Sequence, residues 1–192
     1  MMQVFYREWA KSCLAAALFL FVVLFSSRGQ LGDVLWLIWL QVPIYLLHEF
    51  EEHAYPGGFV DFANTRVFKS RIPGFPLSYV AAFWINISFI WIVFPLVAVL
   101  AQHCDERWGV ILPCFALFNA TTHIVAGLVK RCYNPGLFIS VILNYPSGIY
   151  TLYVMNQYGL LDWPTQLLGW GAALLGHVLM IGYIVYCFKK KR

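Results

Sequence analysis

The chain has 192 residues, of which 61% are hydrophobic and 11% charged, and its mean hydropathy is +0.70. Soluble domains carry about 25% charged residues, so an ordinary soluble domain is excluded and an all-α, polytopic transmembrane helix bundle is expected. The net charge of +4 calls for no nucleic-acid partner, and five scattered cysteines without a CxxC pair fit neither a disulfide framework nor a cysteine zinc site.

A membrane helix needs about 20 apolar residues. Six stretches qualify, at roughly 12–27, 33–54, 77–101, 108–129, 135–157 and 164–188. The first is short enough for a signal-peptide core. However, Ser26-Ser27-Arg28 is a poor cleavage site and Glu8 sits in the flanking region, so it is read as a helix. No internal repeat interrupts the pattern, and residues 1–192 are expected to form one transmembrane domain.

Basic residues near span ends orient a membrane protein. Arg7, Lys11, Arg66, Lys69, Arg71, Lys130, Arg131, Lys189, Lys190, Lys191 and Arg192 all fall on one side of a six-span topology. Only Arg28 and Arg107 fall on the other. This predicts six spans with both termini in the cytoplasm, in the plasma (inner) membrane. The one long connection, near 55–76, is punctuated by Pro56-Gly57-Gly58 and Arg71-Ile72-Pro73-Gly74. It reads as a loop or a short interfacial helix, either a simple connector with ordinary positive-inside charge or a segment whose aromatic and basic residues lie at the headgroups.

The second span ends in His48-Glu49-Phe50-Glu51-Glu52-His53. Ionisable groups at membrane depth are costly and usually face a bundle interior. His48 and Glu52 are spaced i,i+4, as are Glu49 and His53, so each pair shares a helix face. With a rise of about 1.5 Å per residue, His48 lies about 9 Å from the cytoplasmic end of its span, His123 about 10 Å, and Asn119 and His177 about 16 Å. Asn86 and Asn144 come in at about 13 Å. Polar groups from spans two to six therefore converge in the cytoplasmic half.

Carboxylates crowded in low dielectric are relieved by a divalent cation, by protonation or by histidinium. Basic partners are scarce at this depth, so a cation is the economical answer. His48, Glu52, His53, His123 and His177 are the candidate ligands, a donor set that suits zinc or iron. Glu51 or Glu49 is the candidate general base, and Asn119 a candidate donor to a developing oxyanion. The plainer reading makes Glu51, Glu52 and His53 a solvated helix end, Asn119 an interhelical packing residue and His177 a lone backbone-bonded histidine.

The run His48 to Glu52 resembles the signature of the HXXEE family of small integral membrane proteins, and the segment 53–59 and the run Asn119 to His123 are similar to that family as well. The resemblance implies one membrane domain with a polar site and no particular reaction. The site logic is also similar to that of CAAX-processing intramembrane proteases, which use adjacent glutamates, histidines and an asparagine. Here Pro56 stands where that family has arginine, and Asn119 precedes His123. Sterol-isomerase-like bundles offer a metal-free parallel.

The expected function is a membrane-embedded, metal-dependent hydrolase acting on a lipid-like or membrane-bound substrate, its site facing the cytoplasm. The alternatives are a di-iron-type lipid oxidase or hydroxylase, a metal-free His/Glu isomerase, and a transporter or ion-binding protein. The lack of inverted repeats and of polar groups in the outer half weighs against transport.

Overall fold

The computed structural model describes residues 2–190, so Lys191 and Arg192, which contribute to the charge bias, lie outside the described residues. The described chain is helical throughout, with 82% helix and no strand. We number the helices α1 (Met2–Glu8), α2 (Lys11–Ser26), α3 (Asp33–His53) and α4 (Phe59–Phe62), then α5 (Tyr79–His103), α6 (Glu106–Lys130), α7 (Leu137–Gln157) and α8 (Trp163–Lys190). All six expected spans fold as helices close to the expected bounds.

Length and composition make four of them, α5 to α8, apolar enough to cross a membrane, rather than six. The physical reasons differ for the other two. Helix α2 is apolar but has only 16 residues, fewer than a bilayer core needs. Helix α3 has 21 residues but carries Asp33, Gln41, His48 and three glutamates, which lowers its hydropathy.

Helix α3 is the axis of the molecule. Its buried positions include Val34, Leu37, Ile38, Val42, Tyr45 and Leu46, and the burial continues through His48, Glu49, Glu51 and Glu52. Helix α2 runs along one flank, and α5, α6 and α7 cover the others. Apolar side chains of α3, α5 and α6 form the main core around Phe94, Leu112 and Phe115.

Helix α8 is the outermost element and packs on α6. Its buried residues are small or short: Thr165, Gly169, Ala173, Gly176 and His177. This stripe lets the backbones approach closely. A Cβ on Gly169 would sit 2.8 Å from Cys114 Sγ, and one on Gly176 2.9 Å from the Phe115 ring.

Two helices are locally underwound into π turns, α5 at Ile87–Val93 and α7 at Ser140–Asn144. Each precedes a proline, Pro95 or Pro146. Proline lacks the N–H that would bond four residues back, and a π turn absorbs the displaced carbonyls.

The 55–76 connection is more than a connector at the headgroups. Helix α4 and the π turn that follows, Ala63–Val67, fold back against the start of α5. Val60 and Ala63 form a small second core with Leu77 and Ala82. Asn64 fixes the fold-back by exchanging two hydrogen bonds of 2.8 Å with the Leu77 backbone.

Candidate metal centre

The helix spacing places the ionisable end of α3 against α6. Glu52 sits at the centre. Its Oε1 lies 2.9 Å from His123 Nε2 and 3.6 Å from His48 Nε2, while its Oε2 lies 3.3 Å from His53 Nε2. Glu49 Oε2 lies 3.6 Å from the same His53 nitrogen. His48 is fully buried, and Glu49, Glu52 and His123 are nearly so. Two groups have spacing able to hold an ion, His48–Glu52–His123 and Glu49–Glu52–His53, and Glu52 belongs to both.

The second ring of contacts orients these groups. His123 Nδ1 donates to Asn134 Oδ1 at 2.7 Å, and Asn134 Nδ2 returns a 3.0 Å bond to the His123 carbonyl. This fixes the ring with Nε2 aimed at Glu52 Oε1, an orientation common around metal-ligating histidines. The amide of Asn119 sits between two rings, 2.9 Å from His48 Nε2 and 3.4 Å from His177 Nε2. Asn86 Nδ2 donates to His53 Nε2 at 2.8 Å.

Gly136 closes the site from the α6–α7 turn. Its φ is +94°, and a Cβ there would come within 2.8 Å of carbons of His48, Glu52 and His123 at once. Only glycine satisfies both the left-handed backbone and that approach.

The sequence candidates separate in space. His48, Glu49, Glu52, His53, Asn119 and His123 come together. His177 lies beyond them: its Nδ1 donates to the Ala173 carbonyl at 2.8 Å, and its link to the cluster runs through Asn119. Glu51 points the other way. It accepts from the Tyr133 hydroxyl at 2.6 Å, from Phe138 N–H at 2.9 Å and from Ile139 N–H at 2.6 Å. It thus caps the N-terminus of α7, whose first N–H groups have no helical partner. Burial, the bond to Glu51 and that carboxylate's charge push the Tyr133 phenol up, so it stays a donor. Asn144, expected at site depth, is buried but stays apart, its amide atoms without a hydrogen-bond partner.

Asn134 and Gly136 were missed by the sequence reading. They follow the basic pair Lys130 and Arg131 in the turn between α6 and α7. The signal was the Asn-Pro-Gly turn, which aims a polar side chain and a positive-φ glycine at one point.

A cavity of about 310 Å³ adjoins the cluster. Glu49, Glu52, His53, Asn86, Asn119, His123, Asn134 and His177 form its polar side. Its other walls are Tyr45, Phe59, Phe62, Phe89, Phe115 and Met180, with further aliphatic residues from the loop, α5 and α8. No lysine or arginine lines it among the described residues. Phe59 reaches over the site, its ring 5.7 Å from that of His53 and 5.8 Å from that of His123.

These features define an all-helical protein with membrane-crossing character, built around a buried histidine–glutamate cluster beside an apolar chamber. A family described as "Protein of unknown function with HXXEE motif" matches residues 39–151, and the chain belongs to it. The matched segment contains the cluster and Gly136, and leaves α8 with His177 outside. No curated protein and no solved structure matches the chain.

Proposed function

We propose that the protein is a membrane-embedded, metal-dependent enzyme, a hydrolase of lipid-like or membrane-bound substrates. One observation carries the reading: Glu52 lies between His48 and His123 at 3.6 and 2.9 Å, all three buried, with Glu49 Oε2, which accepts no hydrogen bond, beside them. Two buried carboxylates with no lysine or arginine beside them, only histidines, call for a counter-charge. One divalent ion, zinc or iron, balances Glu49 and Glu52.

The donors fit such an ion. Two imidazoles and a carboxylate leave a position open for substrate or water. A bound ion there supplies Lewis acidity and an acidified water. The chain's own residues do the rest. Asn134 holds the His123 ring. Glu49, with one oxygen free of hydrogen bonds and facing the cavity, accepts a proton, and His53 at 3.6 Å stands ready to share it. Asn119 offers an amide donor to charge developing on a substrate oxygen. The aromatic walls exclude water and receive a hydrophobic substrate.

In this reading six helices thread the bilayer, both termini and the site face the cytoplasm, and α3 is sheltered by the others. The basic-residue segregation and the burial of α3 support it.

A second reading has its own support. Asn119 Nδ2 and Asn86 Nδ2 donate to the Nε2 atoms of His48 and His53, at 2.9 and 2.8 Å. Those lone pairs are then engaged, and the cluster acts without metal as an acid–base pair in an isomerase. Elemental mass spectrometry of the detergent-purified protein separates the two. The metal reading expects about one zinc or iron per chain, lost in Glu52→Gln and His123→Ala. About two irons per chain points instead to an oxidase with two ions sharing Glu52. Folded protein free of metal, with an activity indifferent to chelators, sinks the metal reading.

A further inference from the structure

An outer groove adjoins the chamber beside the cluster. Ile85 and Phe89 of α5 line the chamber on one side and an outer groove on the other. That groove runs past Ser88 and Trp84 of α5 to Tyr183 of α8, and Ser88, Trp84 and Tyr183 are exposed. Helix α8 packs on α6 rather than on α5 along its length. The two helices approach at Gly176, where a Cβ would lie 3.3 Å from the Phe89 ring, and at Ile184, which leans on the small core of Val60, Leu77 and Ala82; beyond them Phe188 meets the rings of Phe68 and Phe75 of the 55–76 connection at 5.7 and 6.1 Å.

We propose that the seam between α5 and α8 is a lateral entrance through which one hydrocarbon chain of a membrane lipid passes from the bilayer into the chamber. This rests on the reading of the cluster as a site for lipid-like substrates. Three observations name the occupant. Ile85 and Phe89 line both the groove and the chamber, so the two are neighbours across these side chains. The helices flanking the seam are two of the four apolar enough to cross a membrane, so the groove opens onto acyl chains rather than water. The walls beyond the polar cluster are aliphatic and aromatic, and about 310 Å³ is the lower end of the range for small-ligand pockets, which suits one chain and excludes a folded peptide.

The seam also sets the geometry of the reaction. A chain lying between α5 and α8 places its polar end at Glu49, Glu52 and Asn119, the deep end of the chamber. The bond attacked is therefore at or near the junction of chain and headgroup.

The test uses the full-length protein in phosphatidylcholine vesicles with a long-chain fatty acid carrying a terminal diazirine. Illumination followed by peptide mapping is expected to place the label on Ile85, Phe89, Met180 or Ile184. Ile184→Trp is expected to lower capture about ten-fold by overfilling the seam, and Tyr183→Ala, at an exposed position, to raise it. Both variants keep the wild-type metal content. Label confined to outward-facing residues such as Leu174 and Val178, or capture indifferent to both variants, overturns the lateral entrance. Loss of the metal reading registers separately, as wild-type protein that captures the probe at the seam and holds no metal.

Discussion

Asn134 and Gly136 show how much of the site depends on residues outside the motif. Asn134 touches His123 twice and lines the chamber. Asn134→Ala removes the acceptor that fixes the ring and is expected to weaken metal binding about 10- to 100-fold. Competition with a chromophoric chelator measures this, and the fold persists. Gly136→Ala acts differently. It forces a Cβ into three site side chains at φ +94°, and is expected to cost about 1–3 kcal/mol, read as a lower thermal midpoint in detergent. Adjacent glutamates should also diverge. Glu49→Gln removes a buried charge whose Oε2 accepts no hydrogen bond, so activity is lost while stability holds or rises. Glu51→Gln breaks a saturated cap and is expected to cost about 1–3 kcal/mol, while folded protein keeps its metal. Equal effects of the two substitutions on melting would contradict the division of labour between them.

At the scale of elements, helix spacing explains why one turn of α3 serves two purposes. Positions 48, 49, 52 and 53 point toward α5 and α6, where the histidines and asparagines wait. Position 51 points toward the start of α7. The i,i+4 pairs His48–Glu52 and Glu49–His53 were legible in the sequence and are present as 3.6 Å contacts. Which glutamate faces inward was not legible, because one turn of rotation exchanges them and only packing sets the rotation. The 55–76 connection was misread for a related reason. Its aromatics look interfacial in one dimension, yet the Asn64–Leu77 pairing folds them over the cluster, so Phe59 becomes a wall of the chamber. His177 kept its depth and lost its place as a direct ligand candidate, since α8 docks on α6 through small residues and leaves Asn119 between that ring and His48.

For the whole molecule, native cysteines test the topology. Cys104 follows α5 and Cys132 follows α6, and both are exposed. One helix lies between them, so in a spanning protein they sit on opposite faces. With the site facing the cytoplasm, a membrane-impermeant maleimide added to intact cells labels Cys104 and spares Cys132. The reverse pattern inverts the protein, and labelling of both removes α6 from the membrane.

The sequence by itself determined the helical class, the approximate limits of α2, α3 and α5 to α8, and the i,i+4 pairing at the ionisable end of α3. Those properties follow from composition and from helix geometry, both local. The tertiary structure alone decided that Glu52 is the shared carboxylate, that Glu51 is a helix cap, that Asn134 and Gly136 belong to the site, and that an outer groove adjoins the chamber. Each of these depends on how helices rotate and dock, and close packing of side chains from distant segments sets that rotation rather than any periodicity within one segment.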